Sequence, residues 1–185
     1  EDGSNKHLTC DLRDVLDLGW RMLCVMHPPC TLLCNSGVKH LYIDGKKSNG
    51  RNERRWHEME TAASFYRTCR DAPIPHKAIE NPVMHGHAIR LTGRGTTQFV
   101  HPYFFGDPFF KNTGLEIVNL PFLLKTGDLV PPKPGTAEHK AWSACHRAPP
   151  GPDRAKIRSR TYPGIANAIA DQWGSLVFGT ERLAA

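Results

Sequence analysis

Two short apolar runs that each end in proline, with one amphipathic stretch between them, leave this chain few folds to choose from. The first run, Met22-Leu23-Cys24-Val25-Met26, leads into His27-Pro28-Pro29-Cys30. The second, Ala78-Ile79, leads into Glu80-Asn81-Pro82. Proline donates no backbone hydrogen bond and fixes its own φ, so the chain has to leave a sheet at both points. Residues 21–27 and 76–80 are therefore read as strands. Between them, Glu53 to Arg70 carries Trp56, Met59, Ala63, Tyr66 and Cys69 at three- and four-residue steps with charges on the other face, the pattern of a helix packed on one side. Asp71-Ala72-Pro73 and Pro75 stop it. Strand, helix and strand in that order make a βαβ unit, which favours parallel pairing and a right-handed connection.

The other elements are signalled less strongly. Leu12, Val15, Leu16 and Leu18 have helix-like spacing. Residues 28–52 read as a long loop with turn signals at Asp44-Gly45 and Asn49-Gly50, and a loop of that length is usually functional or mobile. Further strands are expected at 96–101 and 113–119. Residues 121–152 are proline-rich and irregular. A last helix follows Pro163, with Ile165, Ala168, Ile169 and Trp173 on one face. The fold class is α/β, as one domain over residues 1–185 with a small irregular segment at about 101–155. At 185 residues, two full domains would be crowded.

The formal net charge of +6 suits a polyanionic partner, and the positive charge concentrates at Lys46–Arg55 and Arg154–Arg160. No apolar run approaches the length of a membrane span, so no membrane partner is expected and the expected location is the cytoplasm. The six cysteines have no paired spacing and read as free thiols. Cys30 and Cys34, with ten histidines in the chain, invite a zinc reading. His101, Cys145 and His146 do not supply a convincing second pair, so no metal is expected.

In open α/β sheets ligands bind beyond the carboxyl ends of the strands. Cys30 and Glu80 both fall there, a thiol and a carboxylate offered to one pocket. The thiolate is the reactive form of cysteine, so a catalytic Cys30 needs a lowered pKa, with Arg158 or Arg160 as the nearby cation. Cys24, inside its strand, reads as a small buried hydrophobe. Asp11 reads as a cap for the following helix.

These motifs together resemble those of DNA (cytosine-5) methyltransferases. Pro28-Pro29-Cys30 is similar to their nucleophile motif, and Glu80-Asn81-Pro82 to their Glu-Asn-Val. Lys156-Ile157-Arg158-Ser159-Arg160 resembles their Gln-x-Arg-x-Arg, with lysine for glutamine, and Tyr162 to Ala170 resembles their last motif. The order along the chain is that of the family. More closely, residues 7–173 resemble small methyltransferase-like proteins of bacteriophages, which share His-Pro-Pro-Cys, Glu-Asn-Pro and a final Arg-Ser-x-Thr-Tyr-Pro-Gly-Ile-Ala stretch. The resemblance implies a Rossmann-like methyltransferase sheet with flanking helices, and S-adenosylmethionine as cofactor. It implies DNA as partner, with a cytosine base turned out of the helix, in the cytoplasm of a phage host. Cys30 would add at carbon 6 and Glu80 would hold ring nitrogen 3. Arg158 and Arg160 would bracket the base and its phosphate. Asp11, Pro28 and Asn167 would face the cofactor.

Two departures stand out. The glycine-rich turn that seats the methionine part of the cofactor is absent, as is the acidic residue for its ribose. In the resembled phage proteins these lie upstream, so the expectation is a sheet incomplete at its N-terminus. Its cofactor site would then be completed by a missing segment or by a second copy of the chain. The stretch from Glu80 to Lys156 is also short for a DNA-reading domain. Recognition would fall to the 36–52 loop and the aromatic 101–114 segment, with Phe104 and Phe109 assigned to the core. The alternatives are a pyrimidine nucleotide-modifying enzyme with the same cysteine chemistry, an inactive nucleic-acid-binding fragment, and a zinc-binding module.

Overall fold

The structure is a computed structural model that describes residues 8–20, 23–93 and 95–176. Met22 and Arg21, read as the start of the first strand, lie outside the described residues. Four strands form one sheet: β1 (Leu23–Met26), β2 (His76–Glu80), β3 (Gln98–Val100) and β4 (Thr113–Val118), in the order β1-β2-β4-β3. β1 and β2 pair in parallel from Leu23↔His76 to Met26↔Ile79, as the βαβ pattern predicts. β4 runs antiparallel to both β2 and β3, so the sheet is mixed. β4 ends at Val118, and the next residue, Asn119, has a φ of 54° that turns the chain out of the sheet.

The crossover helix α1 (Glu53–Asp71) starts where Asn52 accepts a hydrogen bond from the Arg55 amide at 3.2 Å. It buries Met59, Ala63, Tyr66 and Cys69. With Met26, Leu33, Leu41 and Ile79 these residues form the core on one face of the sheet. Ala78, Val100, Phe105, Leu115 and Leu123 form the core on the other face. There they meet α6 (Pro163–Ala168) and the wider π turn that continues it, Ile169–Gly174. Alternation along β2 thus sends Ile79 towards α1 and Ala78 towards α6. Trp173 is fully buried and its indole donates to Pro121 O at 2.9 Å, which ties the proline-rich segment to this face.

Several expectations change. The 12–18 helix is only a 3₁₀ turn, Leu12–Asp14; Leu18 is exposed, so no continuous buried stripe holds a longer helix. The 28–52 loop contains 3₁₀ segments at Asn35–Leu41, Ile43–Gly45 and Lys47–Asn49. The helix α2 (Gly86–Thr92) falls outside the expected elements. It is capped by the His85 side chain, which accepts from the Ala88 amide. Within the segment read as irregular lie α3 (Ala137–Trp142), capped by Thr136, and α4 (Ala144–Arg147). The basic run folds as α5 (Arg154–Ser159), which buries no residue. Phe105 is the fully buried phenylalanine of its segment; Phe104, as expected, packs partly buried against the same core, whereas Phe109 is half-buried against Tyr162 instead. No helix among the described residues is long and apolar enough to cross a membrane.

Candidate active site

Parallel pairing brings the carboxyl ends of β1 and β2 side by side. Because Met26 is the partner of Ile79, the next residues, His27 and Glu80, emerge together, with His27 Nδ1 3.7 Å from Glu80 Oε2. They open into a cleft of about 220 Å³. Its sheet side is Val25, Thr113 and Leu115, and its opposite wall is Tyr162, Ile165, Ala166 and Ile169, with Lys111 and Arg160 supplying positive charge. The Glu80 side chain is 14% exposed, so its carboxyl faces the cleft rather than bulk water.

The far wall is fixed by local contacts. Lys111 Nζ donates to Arg160 O at 3.0 Å, and the Gly164 amide donates to Asp107 Oδ2 at 2.7 Å. A side chain at Gly164 would run into Phe105 O, so only glycine lets α6 approach this closely. The Phe109 ring packs on Tyr162 with centroids 4.9 Å apart.

Cys30 lies next to this cleft but does not line it. Its carbonyl accepts hydrogen bonds from the amides of Leu33 and Cys34, both at 3.0 Å, in a tight turn that brings its thiol to that of Cys34. The two thiols act on each other's titration, and Cys34 Sγ also lies 3.8 Å from Thr31 O, to which it can donate as a thiol. Cys34, burial and the Glu80 carboxylate push the Cys30 thiol up. Cys34 is pushed down to about 5: it accepts from Cys30, from the Ser36 hydroxyl and from the amides of Gly37 and Ser36, against the cost of burial. The Ser36 oxygen is 3.0 Å from its sulfur. Of the two, Cys34 rather than Cys30 is the one whose environment favours the anion. This corrects the expectation that Arg158 or Arg160 activates Cys30: the charged neighbours acting on Cys30 are Cys34 and Glu80. Arg160 lines the cleft, and Arg158 lies on the exposed α5 beside His146.

The Cys30–Cys34 turn is anchored to the residues after Glu80-Asn81-Pro82. Asn35 N donates to Val83 O at 2.9 Å and His85 N to Leu33 O at 3.1 Å. His85 Nδ1 accepts from Ala88 N, so Nε2 carries the proton and donates to Leu32 O at 3.0 Å. Asn81 is buried, and neither its amide nitrogen nor its amide oxygen has a partner among the described residues.

The three residues assigned to the cofactor are not gathered in the cleft. Asp11 caps the Leu12–Asp14 turn and pairs with Arg13, which holds its carboxyl well below the usual range. Pro28 is buried, Asn167 is exposed on α6, and neither lines the cleft. The cleft volume is also below the roughly 300–1,000 Å³ of pockets that enclose a drug-sized ligand. The described residues do not fit S-adenosylmethionine as a whole, although a pyrimidine ring is well within this volume. Among the described residues no three His, Cys, Asp or Glu side chains are placed to hold a metal ion.

The aromatic 101–114 segment is occupied with itself. Tyr103 packs against His101, Phe104, Phe110 and Trp142, with centroids 4.7–5.9 Å apart. The 36–52 loop instead meets the start of α1 around a second, open cleft lined by Lys39, His40, Arg54 and Arg55, with Asp44 opposing them. Lys111 and the Cys34–Ser36 pair are functional candidates that sequence reasoning misses. The Cys-x3-Cys spacing is visible in the sequence, but there it reads only as a metal signal. No protein-family model, curated protein or solved structure matches this chain.

Proposed function

We propose that this chain is a DNA (cytosine-5) methyltransferase-like enzyme that activates a pyrimidine ring by cysteine addition. The observation that carries the reading is the side-by-side exit of His27-Pro28-Pro29-Cys30 and Glu80-Asn81-Pro82 from adjacent parallel strands. Chemistry requires that pairing. Carbon 5 of cytosine is a poor nucleophile until a thiolate adds at carbon 6, and the charge that then develops in the ring needs a proton at nitrogen 3. Glu80, at the mouth of a small and largely apolar cleft, is suited to share that proton. Arg160 and Lys111 offer cationic donors for the attached phosphate. The basic surface around Lys39, Arg54 and Arg55 suits the flanking backbone of a nucleic acid. S-adenosylmethionine is the methyl donor of the resembled family, and its seat would need surface beyond the cleft described.

A second reading, a free pyrimidine monophosphate as substrate, draws on the small size of the cleft and the two cations beside it. Salt separates the two. Duplex binding should weaken steeply with ionic strength because each phosphate contact releases counterions, whereas a single nucleotide makes few such contacts.

The proposal is tested with a duplex carrying, in place of one cytosine, a pyrimidinone without the 4-amino group, whose ring accepts a thiolate more readily. Wild-type protein should form an adduct with the mass of one protein plus one strand, and Cys30→Ala should form none. An equal adduct with Cys30→Ala overturns the assignment. Transfer of a labelled methyl group from S-adenosylmethionine to cytosine reports the complete reaction.

A further inference from the structure

We propose that the open cleft at the start of α1 is a phosphate-binding site in its own right, separate from the cleft beside Glu80. The inference goes beyond the pyrimidine reading, because neither Cys30 nor Glu80 lines this cleft.

The sequence concentrates charge here. Between residues 39 and 55 lie six lysines and arginines against two carboxylates, Asp44 and Glu53. The fold gathers Lys39 and His40 from the 3₁₀ segment Asn35–Leu41, and Asn52, Arg54 and Arg55 from the start of α1, around a cavity of about 510 Å³. A nucleoside monophosphate is a ligand of that scale.

These donors are available. Among the described residues the Lys39 ammonium and the His40 ring have no hydrogen-bond or ionic partner. Asn52 uses its side-chain oxygen to accept from the Arg55 amide at 3.2 Å, which leaves its NH₂ group as a donor. Arg54 and Arg55 lie 3.7 and 3.1 Å from the Glu58 carboxyl. Surface pairs one helical turn apart contribute little, so both guanidiniums can turn to a phosphate, whose oxygens match their planar fork.

The wall opposite α1 is in place before any ligand arrives. Trp56 Nε1 donates to Leu41 O at 2.8 Å, and the Asn52 amide donates to the same oxygen at 3.0 Å. Tyr42 bridges to Arg51, and the Ile43 amide donates to Gly50 O at 3.1 Å. Arg90 can only donate, and it stands 2.5 Å from His87 Nδ1. Nδ1 therefore accepts, and His87 Nε2 donates to Tyr42 Oη at 3.0 Å. Residues 41–52 thus form a hairpin tied to both α1 and α2, and binding does not have to order it.

Asp44 shapes the choice of ligand. It sits at a φ of 52°, and the Asn49 amide donates to its carboxylate at 3.4 Å. Opposite the cations it supplies an acceptor for a sugar hydroxyl and keeps the cleft from being purely cationic. The chemistry that fits is a phosphate ester of a sugar. A free nucleotide and a nucleotide unit in a nucleic-acid strand both carry it.

Calorimetry at low salt on the full chain tests the site with three probes: inorganic phosphate, cytidine 5′-monophosphate and a short single-stranded DNA. Wild type should bind saturably. Lys39 and Arg54 are exposed, so Lys39→Gln and Arg54→Gln leave the core intact. Each should weaken binding about threefold, the scale of one exposed charge pair. Asp44→Asn removes the opposing charge with a residue that tolerates positive φ, and it should strengthen binding by a similar factor. Lys133→Gln makes the same change of charge outside the cleft and should leave binding unchanged. If a free nucleotide is the ligand, it binds tighter than inorganic phosphate. If a strand is the ligand, each lost cation lowers its salt slope by about 0.7. Cys30→Ala and Glu80→Gln should bind as wild type does, so this result stands apart from the fate of the pyrimidine chemistry. Lys39→Gln and Arg54→Gln proteins that bind all three probes as wild type does, or a Lys133→Gln protein that loses as much as they do, overturn the site.

Discussion

His27 Nδ1 stands 3.7 Å from Glu80 Oε2 because Met26 and Ile79 are partners in the parallel pairing of β1 and β2. The contact is longer than a hydrogen bond and contributes little stability, so Glu80 can be changed without loss of the fold. Glu80→Gln keeps the size and removes the shared proton. It should slow hydrogen exchange at cytosine carbon 5 by about 10²–10⁴-fold, the usual range for loss of a general acid. The urea midpoint should stay near wild type.

The Cys34 anion gives the fold a pH signature. Its pKa is lowered to about 5 from an ordinary thiol value, so the unfolded chain binds more protons between pH 5 and about 8.5. The stability it contributes is present above the unfolded value and is lost as pH falls through about 5. Cys30 is shifted the other way, so the pair's contribution declines again above about pH 8.5. The difference in melting temperature between wild type and Cys34→Ser should therefore grow from pH 5 to 8.5. A pH-independent difference would place the thiolate elsewhere.

On the α1 face, Tyr66 Oη donates to Glu116 Oε2 at 2.8 Å, and Glu116 is 2% exposed with its other oxygen unpartnered among the described residues. Burial and the Glu116 carboxylate push the Tyr66 hydroxyl up, so it stays a donor. Tyr66→Phe removes a hydrogen bond to a buried carboxyl and should cost about 1–3 kcal/mol in urea unfolding.

The wall of the cleft depends on Gly164, where an added Cβ would meet Phe105 O. Gly164→Ala should cost about 1–3 kcal/mol, as overpacking does. It should also weaken binding of a pyrimidine nucleotide, because Tyr162 and Ile165 move with the start of α6. Stability can be read by thermal unfolding and binding by calorimetry.

What the sequence made legible follows from how local each signal is. α1 repeats its apolar residues every three or four positions, and the prolines after Met26 and Ile79 end the strands, so the βαβ unit and the neighbouring exits of Cys30 and Glu80 could be read directly. The place of β4 could not: it inserts between β2 and β3 through long-range pairings such as Glu80↔Leu115, for which a short apolar run carries no address. The charge assignment failed for a related reason. Arg158 and Arg160 lie two positions apart, yet one lines the cleft and the other does not. Cys34 becomes an anion through backbone amides of Ser36 and Gly37, which have no side-chain signature.

The most direct test of addition by Cys30, beside this cleft, is hydrogen exchange at cytosine carbon 5 in a DNA duplex in D₂O, followed by loss of the H5 proton resonance. It needs no methyl donor. Wild-type protein should exchange H5 of cytosine and Cys30→Ala should not. A wild-type protein that leaves every H5 in place, or a Cys30→Ala variant that exchanges as fast as wild type, would contradict the assignment of Cys30 as the nucleophile.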